Sequence, residues 1–333
     1  AEADHLTVFQ RTPTYTIPAH NEPLDPDEVA RIKANYDEFR AINREQIPAS
    51  GAEARILDES ALAVDEQTRR ETYDLAWERG GLFFVGAFND IVVDRAANET
   101  AGAYVRDRIR EIVDDPDTAE RLMPDQVIGC KRLCVDTDYY ATYNRPNVEL
   151  VDISDSPIDE ITPSGIRVGD TEWAFDAIVF ATGFAVTDFL TPLVVKGREG
   201  LDLNEAWREG AEAYYGITIS GFPNLYVLVG PNTGLGHNSI VFMIEAQVHY
   251  TIQCIERMRE QGLASMEVLP SAQRHFNDRL QERLQSVVWN TGGCMSWYLD
   301  ENGKNVTLWP GYTFEYWLRT RRPRFDHYTE SKL

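Results

Sequence analysis

The sequence predicts an α/β fold in which helices alternate with the strands of a mostly parallel sheet. Helix-forming sequence, from about Asp25 to Pro124, follows a short N-terminal strand. After Lys131 the apolar residues change to the two-residue period of strands, and long amphipathic helices follow further along the chain. At 333 residues, the chain is long enough to form one large core or two ordinary ones.

Strand-like sequence begins near the N-terminus, where a run from Leu6 ends at Arg11 and Thr12. Two later runs are almost entirely apolar, so we expect them to be largely buried parallel strands. An aromatic-rich segment near the C-terminus is also strand-like. The predicted strands after Lys131 are Val148 to Asp152, a hairpin of Ile158 to Thr162 and Ile166 to Val168, Phe175 to Ala181, Leu225 to Val229, and Val306 to Tyr316.

The predicted helices begin and end at capping residues. Asp25 and Asp115 are N-cap acids, and each is followed by a proline at the first helical position. Gly80 and Gly262 are glycine stops. We expect helices from Pro26, from Glu66 to Arg79, from Asn98 to Val113, from Pro116 to Met123, from Ser239 to about Gln261, and from Ser271 to Val288.

Apolar side chains indicate which faces of these helices are buried. We expect the helical layer of the first half to pack through Phe83, Phe84 and Phe88. In the long helix that ends at Gln261, one apolar stripe is predicted to face the core. That stripe consists of Ile240, Ile244, Val248, Ile252 and Ile255.

The charge of the chain limits its partners. A formal net charge of −22 repels the phosphate backbone of nucleic acids and the surface of anionic membranes, so we expect neither as a partner. No apolar run approaches the roughly 18 residues that a membrane span needs. The polar, acidic N-terminal residues also lack the basic start of a signal peptide. We therefore expect a cytoplasmic protein.

The chain has four cysteines, too few for a disulfide framework in a protein of this size. Cys130 and Cys134 are spaced like a pair of metal ligands, but no second Cys/His pair accompanies them. We therefore expect buried free thiols rather than a zinc site.

Arg11 is the first candidate binding residue. In a dinucleotide-binding βαβ unit, the residue that ends the second strand meets the adenosine ribose about 20 residues after a glycine loop. Asp or Glu at that position selects NAD, whereas Arg accommodates the 2′-phosphate of NADP. The run from Leu6 to Thr12 fits such a strand. By itself, however, this arginine is equally consistent with a surface residue after a strand.

Further motifs follow in a consistent order along the chain. Lys131-Arg132-Leu133 is followed by the pair Tyr139-Tyr140 and by the strand Asn147-Val148-Glu149-Leu150. The other segments that belong to this order of motifs are Val8 to Arg11, Gly80-Gly81 through Leu122-Met123-Pro124, Phe180-Ala181-Thr182-Gly183-Phe184, Gly230-Pro231-Asn232, and Ile244-Glu245-Ala246-Gln247. Together they span essentially the whole chain. This order of motifs resembles that of the type I Baeyer–Villiger monooxygenases, flavoprotein monooxygenases that use FAD and NADPH.

The resemblance implies parts of two Rossmann-like dinucleotide-binding domains, one for FAD and one for NADPH, together with a helical insertion. Residues 1–24 would then be the remainder of the NADPH-binding domain, and residues 25–124 the insertion. Residues 125–183 would be the segment in which the chain returns to the NADPH-binding domain, together with a linker. Residues 184–333 would be the C-terminal part of the FAD-binding domain.

The resemblance also implies two cofactor sites. Arg11, Thr12 and Lys131 would hold the 2′-phosphate of NADPH or NADP+, and an Arg and a Lys give such a phosphate a local positive charge. Trp297 would contact the nicotinamide nucleotide, although an ordinary core tryptophan is the alternative. The residues implied for FAD are Ala181, Thr182, Gly183, Asn232, Asn238, Ser239 and Ile240.

At the start of the long helix, Asn238, Ser239 and Ile240 would direct the positive end of the helix dipole at the flavin pyrimidine. Ordinary N-capping by Asn238 or Ser239 is compatible with that role. His237, which has no assigned carboxylate partner, is interpreted as a loop residue.

Arg132 resembles the active-site arginine of the family, which lies beside the flavin. Its permanent charge would stabilise the negative charge that develops on oxygen during attack on a ketone. A structural ion pair is the alternative interpretation of this residue.

The sequence departs from the family pattern at three places. Leu133 replaces the proline usual after Lys-Arg, and the loop from Gly230 to Ser239 differs from that of the cyclohexanone-oxidising members. In addition, neither a Gly-X-Gly-X-X-Gly loop nor the Phe-X-Gly-X-X-X-His fingerprint occurs in the chain. We expect these motifs to lie upstream of Ala1.

The leading hypothesis is an FAD- and NADPH-dependent monooxygenase that inserts one oxygen atom of O2 beside a ketone carbonyl to give an ester or lactone. Arg132 favours this reaction over the alternative, a related flavin enzyme that oxygenates N or S atoms. A third hypothesis is a non-catalytic fragment, because a polypeptide without the flavin phosphate loop should not hold FAD by itself.

Overall fold

The structure is a computed structural model that describes residues 3–45, 56–236 and 238–332. Its strands are β1 (Leu6–Gln10), β2 (Thr16–Pro18), β3 (Cys134–Asp136), β4 (Val148–Asp152), β5 (Glu160–Ile161), β6 (Gly165–Val168), β7 (Thr171–Ala174), β8 (Leu263–Val268) and β9 (Tyr328–Lys332). Its helices are α1 (Pro26–Ala34), α2 (Tyr36–Glu45), α3 (Glu66–Arg79), α4 (Arg95–Ile112), α5 (Pro116–Leu122), α6 (Tyr139–Thr142), α7 (Leu203–Ala206), α8 (Ile240–Gln261), α9 (Pro270–Leu284), α10 (Val288–Thr291) and α11 (Thr313–Thr320).

Helix α1 begins at Pro26 and α5 at Pro116, directly after the predicted N-cap acids, whereas α4 begins at Arg95, three residues before the predicted Asn98. The carboxylate of Asp65 accepts a hydrogen bond of 2.8 Å from the backbone N–H of Thr68, and that of Asp115 accepts an equally short one from Thr118. Helix α8 ends at Gly262, whose φ of 61° lies in the left-handed region that glycine adopts without strain. The predicted helix from Ser271 to Val288 is divided into α9 and α10.

The strands form four small sheets rather than the single, mostly parallel sheet that the sequence predicted. Strand β1 pairs with β4, and β2 with β3; both pairs are parallel. The predicted hairpin is present and gains a third antiparallel strand, β7. Strands β8 and β9 form an antiparallel pair that the sequence analysis missed.

Three predicted strands are wrong. Residues 175–181 form no strand, and Val179 and Phe180 are 89% and 65% exposed. Residues 225–229 contribute a single bridge, between Tyr226 and Thr218. Residues 306–316 contribute one bridge, at Leu308, before α11 begins. A buried strand needs a hydrogen-bonded neighbour along its length, and in the described chain these segments are paired at isolated positions at most.

One hydrophobic core holds the first half together. It joins Tyr15 and Ile17, at β2, to the helical layer and to Leu150 in β4. Phe84 and Phe88 are buried in it and pack against Tyr73, with ring centroids 5.7 and 5.3 Å apart, as the sequence predicted. The side chain of Phe83 lies outside the described atoms. Three further clusters of buried residues lie in the second half, from Leu203 onward.

Helix α8 packs with a different face from the one predicted. Its buried residues are Met243, Ala246, Gln247, Tyr250 and Cys254. The predicted stripe is instead largely at the surface, where Val248, Ile252 and Ile255 are between 41% and 48% exposed. Both faces carry apolar residues, so the periodicity alone could not show which of them faces the core.

No helix in the described residues is both long enough and apolar enough to cross a membrane.

Candidate functional site

The two segments that carry the predicted phosphate-binding residues lie side by side. Arg11 and Thr12 lie between β1 and β2, and Lys131 and Arg132 lie just before β3. Because β2 and β3 are parallel, with Thr16 opposite Cys134, the residues that precede the two strands lie at the same edge. The geometry therefore brings these four residues to one side of the β2–β3 pair.

Arg11 and Lys131 form no hydrogen bond or ion pair with any residue that the structure describes. Arg11 is exposed and Lys131 is half-buried. By contrast, Arg283 binds Glu315 through two hydrogen bonds of 2.7 and 2.9 Å. The edge of the β2–β3 pair thus presents two cations whose charge is not neutralised by a carboxylate partner.

Arg132 is held by a main-chain carbonyl rather than by an acid. Its guanidinium donates a hydrogen bond of 2.7 Å to the carbonyl oxygen of Leu235. It forms no salt bridge with a described carboxylate, so the structural ion pair considered for this residue is not present there. Arg132 is therefore oriented by the loop of residues 230–239 and keeps its full positive charge.

The loop of residues 230–239 is fixed to the segment of residues 305–309. The backbone N–H of Gly234 donates to the carbonyl oxygen of Thr307 at 2.8 Å, and that of Trp309 donates back to Gly234 at 2.9 Å. Asn232, buried with a φ of 57°, donates its side-chain amide to the carbonyl oxygens of Asn305 and Leu308. Its amide oxygen is buried and has no hydrogen-bond partner in the described structure.

Trp297 is not a core residue, because its side chain is 43% exposed. Its ring meets that of the fully buried Tyr298 edge-on, with centroids 4.5 Å apart. Burial raises the pKa of the Tyr298 phenol, and the positive charge of Arg132 opposes that shift. Tyr298 therefore contacts the exposed indole and is within reach of the positive charge of Arg132.

The N-terminus of α8 is not capped by the side chain of its N-cap residue. Ser239, the N-cap residue, is exposed and makes no side-chain capping hydrogen bond. The oxygen of the Asn238 side chain accepts from the backbone N–H of Ser239 at 2.6 Å, and its NH2 group donates to Thr313. Ile240 begins the helix. His237 lies outside the described residues.

Ala181, Thr182 and Gly183 are not brought to this site by any contact in the described structure. All three are exposed and lie outside any strand. Gly183 has a φ of 80°, and a Cβ at this position would meet nothing within 4 Å. The predicted strand end is absent here for the same reason as the strand itself, namely the lack of a neighbouring strand.

A disulfide bond joins Cys130 to Cys294, with Cα atoms 6.1 Å apart. The expectation of buried free thiols at Cys130 and Cys134 is therefore wrong: Cys130 is bonded, and Cys134 is free but exposed. The two bonded residues are 164 positions apart, so local spacing carried no signal of the pair. The bond places Lys131 and Arg132 beside the segment that carries Trp297.

Comparisons with known proteins place this geometry in context, although no protein-family model matches the chain. A Baeyer–Villiger monooxygenase of Streptomyces coelicolor is 37% identical over 333 residues, which is 98% of this chain and 56% of the relative. A cyclohexanone 1,2-monooxygenase of Acinetobacter is 32% identical over 316 residues, 92% of this chain and 56% of the relative.

Among solved structures, an oxidized steroid monooxygenase bound to NADP matches with a TM-score of 0.90 and 35% identity. The match covers 100% of this chain and 63% of that one. The chain thus spans little more than half the length of these curated relatives. The likeness confirms the predicted α/β fold class, with parts of two Rossmann-like dinucleotide-binding domains. The chain belongs to the Baeyer–Villiger monooxygenase family.

Proposed function

We propose that the protein of which this chain forms part is an FAD- and NADPH-dependent monooxygenase that inserts one oxygen atom of O2 beside a ketone carbonyl. The product would be an ester or a lactone. The observation that carries the proposal is Arg132, an arginine oriented by the Leu235 carbonyl and not neutralised by any described carboxylate. A chain with 54 acidic and 32 basic residues otherwise offers many acids for such a cation to pair with.

The edge of the β2–β3 pair fits the 2′-phosphate of NADPH. Arg11 and Lys131 supply two cations without partners among the described residues, and Thr12, the residue after Arg11, adds a hydroxyl donor. Charge-assisted hydrogen bonds to a phosphomonoester are stronger than neutral ones. Trp297, half-exposed beside Tyr298, offers an indole face and one N–H donor to the nicotinamide nucleotide.

For FAD we propose the start of α8, which follows the loop whose Leu235 carbonyl orients Arg132. Ser239 and Ile240 leave the first N–H groups of that helix without a side-chain cap, and Asn238 fixes the entry to the helix. Asn232 keeps a buried amide oxygen without a partner. The exposed residues Ala181, Thr182 and Gly183 complete the proposed set. When bound, FAD would supply the oxygen chemistry.

Arg132 then acts through its charge and its fixed direction. The Leu235 carbonyl takes one guanidinium N–H, which leaves the others to face the reacting oxygen atoms. Because guanidinium keeps its proton at any physiological pH, it stabilises negative charge without itself taking part in proton transfer. The carbonyl-bound orientation is already set before substrate arrives, so little reorganisation is required.

We also propose the domain boundaries and the surroundings of the protein. Residues 1–24 and 125–183 belong to the NADPH-binding domain, residues 25–124 are its helical insertion, and residues 184–333 are part of the FAD-binding domain. The single core that joins residues near β2 to the helical layer and to β4 supports this division, as do the separate clusters after Leu203. We place the protein in the cytoplasm, where NADPH, O2 and a small ketone meet it.

Replacement of Arg132 by alanine in the complete enzyme tests the reaction. The variant should form no ester or lactone from a ketone, whereas anaerobic reduction of the flavin by NADPH should remain measurable as loss of its visible absorbance. The physical reason is that the guanidinium stabilises charge in the oxygen-transfer step and leaves hydride transfer to the cofactors.

Arg145→Ala is the matched control, because Arg145 is an exposed arginine near the same segment with no side-chain partner in the described structure. It should oxygenate the ketone at the wild-type rate. Product formation by the Arg132→Ala variant at that same rate would remove the arginine from the mechanism. A wild-type enzyme that oxygenates a sulfide but no ketone would favour the N- or S-oxygenating function instead.

A further inference from the structure

The Cys130–Cys294 bond lies where the two halves of the candidate site meet. Cys130 immediately precedes Lys131 and Arg132, and Cys294 lies three residues before Trp297. The bond therefore connects the segment that carries the proposed catalytic arginine to the segment that carries the proposed nucleotide-contacting tryptophan. These segments are far apart in sequence; Leu133, next to Arg132, and Tyr298, next to Trp297, belong to different hydrophobic clusters.

The backbone around the pair is built for close approach. A Cβ on Gly292 would lie 2.6 Å from the Cβ of Cys130, so this position accepts only glycine without a shift of the chain. The sulfur of Cys294 also lies 3.9 Å from the side-chain oxygen of Gln126. Gln126 in turn donates a hydrogen bond of 3.2 Å to the carbonyl oxygen of Pro13, next to Thr12. Gln126 thus links Cys294 to the segment that carries Arg11 and Thr12.

The two cysteines differ in their exposure to solvent, and this difference determines which of them reacts first. Cys130 is fully buried, whereas Cys294 is half-buried. A small oxidant or thiol reagent in solution therefore reaches Cys294 first. Cys130 is then in position to resolve the reaction, because a Cα–Cα distance of 6.1 Å lies within the range that a disulfide spans.

We propose that Cys130 and Cys294 are positioning residues that form a redox-sensitive tether, which in its oxidised state holds Arg132 and Trp297 in one geometry. This inference rests on the proposed monooxygenase function only for its effect on catalysis; the cross-link and its effect on NADP+ binding stand apart from it. Opening of the tether frees the Lys131–Arg132 segment from the Cys294–Trp297 segment and weakens the nucleotide site.

The chemistry balances with hydrogen peroxide as oxidant and a thiol as reductant. The Cys294 thiolate attacks the peroxide, the O–O bond breaks, and a sulfenic acid and hydroxide form. The Cys130 thiol then displaces the hydroxyl group from sulfur, with release of water and formation of the S–S bond. In total, two thiols and one peroxide give one disulfide and two waters. Two thiols of a reductant such as glutathione reverse the bond by exchange and become its disulfide.

The first experiment detects the tether in the complete holoenzyme. Peroxide-treated protein, blocked and digested without reductant, should yield a cross-linked peptide pair that contains Cys130 and Cys294. The same digestion after dithiothreitol should yield both peptides separately. Absence of the cross-linked pair after peroxide treatment would overturn the proposal.

The second experiment measures what the tether does. Reduction of the wild-type enzyme should weaken NADP+ binding, measured by calorimetry, at least threefold, and raise the KM for NADPH by a similar factor. The Cys130→Ser and Cys294→Ser variants should resemble the reduced enzyme and ignore peroxide. Cys134→Ser is the matched control, since this exposed thiol lies near Cys130 but outside the bond; it should respond to peroxide as the wild type does.

Equal NADP+ affinities in the reduced and oxidised wild type would overturn the positioning role, as would a redox response in Cys130→Ser. Failure of the proposed function gives a different result. An enzyme that oxygenates no ketone in either redox state, yet still binds NADP+ more tightly when oxidised, would reject ketone oxygenation while supporting the tether.

Discussion

At the residue scale, the positive charges beside β2 and β3 differ from those of several other arginines because they have no carboxylate partner among the described residues. Arg11 and Lys131 have no acidic partner among the described residues, whereas Arg257 and Arg283 each bind a glutamate through two hydrogen bonds. A cation without a partner does not need to break an ion pair before it binds a phosphate. The same pattern in the sequence, an Arg at a strand end and a distant Lys, could suggest the site but not show that both residues reach one edge.

Arg11→Ala and Lys131→Ala should each weaken NADPH binding and leave NADH binding nearly unchanged, because only NADPH carries the 2′-phosphate. A hydrogen bond to a charged group contributes about 1.5–3 kcal/mol, which corresponds to roughly a 10- to 100-fold loss of affinity. The KM values for both nucleotides, measured in the complete enzyme, test this. Arg31→Ala, on the exposed face of α1, is the control. An equal loss for NADH would mean that these cations do not read the 2′-phosphate.

Two buried tyrosines give opposite expectations for removal of a hydroxyl group. The Tyr298 hydroxyl is buried without a hydrogen-bond partner in the described structure, whereas that of Tyr316 donates to the Tyr215 carbonyl at 2.6 Å and accepts from Gln247. Tyr298→Phe should therefore leave the free energy of unfolding unchanged or raise it by up to about 1 kcal/mol, whereas Tyr316→Phe should lower it by about 1–3 kcal/mol. Denaturant unfolding measures both. A larger loss for Tyr298→Phe would reveal a partner for its hydroxyl.

At the element scale, the helices were predictable because their ends are determined locally. An N-cap acid and a proline lie within one turn of the helix that they start, and a stop glycine lies one residue beyond its end. Helices α1 and α5 accordingly begin at Pro26 and Pro116, and α3 ends at Arg79, directly before the stop glycine Gly80. Strands depend on neighbours that are distant in sequence. Residues 175–181 have the composition of a buried strand and lack the neighbour, so composition alone misplaced them.

The N-caps of α3 and α5 should make stability depend on pH. Hydrogen bonds from Thr68 lower the pKa of Asp65, and those from Thr118 lower the pKa of Asp115. Both carboxyls are ionised in the folded state down to a lower pH than in the unfolded chain, where the pKa is about 3.9. Their stabilisation is therefore complete above that value and lost as the pH falls through the folded pKa.

Thermal unfolding between pH 2 and pH 6 measures this effect. The double variant Asp65→Asn and Asp115→Asn keeps a capping oxygen but no titrating group, so its melting temperature should fall less steeply below pH 4 than that of the wild type. Parallel curves for the two proteins would show that other acids control the acid limit of stability.

At the scale of the whole molecule, the described surface carries an apolar band that the fold leaves uncovered. This band consists of Val248, Ile252 and Ile255, which lie on one side of α8; elsewhere in the chain, Phe180 and Phe184 are 65% and 93% exposed. Contiguous apolar surface of this kind is characteristic of interfaces and of aggregation-prone proteins. The sequence revealed the apolar residues of α8 but assigned them to the core.

Purified by itself, the 333-residue chain should be colourless, bind the dye ANS and associate into large particles. The triple variant Val248→Gln, Ile252→Gln and Ile255→Gln should reduce dye fluorescence and particle size, because it removes part of the exposed apolar band. Light scattering and ANS fluorescence test this. Leu62→Gln, a single exposed leucine elsewhere, should change neither. A yellow, monodisperse wild-type preparation would contradict the expectation.

The residues of the candidate site were predictable from the sequence, but the contacts that join them were not. Arg11, Lys131 and Arg132 follow from strand ends and motif order, which are properties of the chain. The Leu235 carbonyl as the partner of Arg132 and the Cys130–Cys294 bond depend on which distant segments meet in space. No spacing rule within the sequence predicts those contacts, so only the structure could show them.

The parallel pairing of β2 and β3 also affects how much the segment between these strands can vary in length. Because β2 and β3 are parallel, the chain leaves β2 at Pro18, opposite Asp136, and crosses back through the helical layer to enter β3 at Cys134, opposite Thr16. For a flexible excursion, the entropic cost of closure grows only with the logarithm of its length, at about 0.6 kcal/mol per doubling. Changes of length therefore cost little free energy only in the parts of this crossover that lie outside the core, such as α1, which has no buried residue.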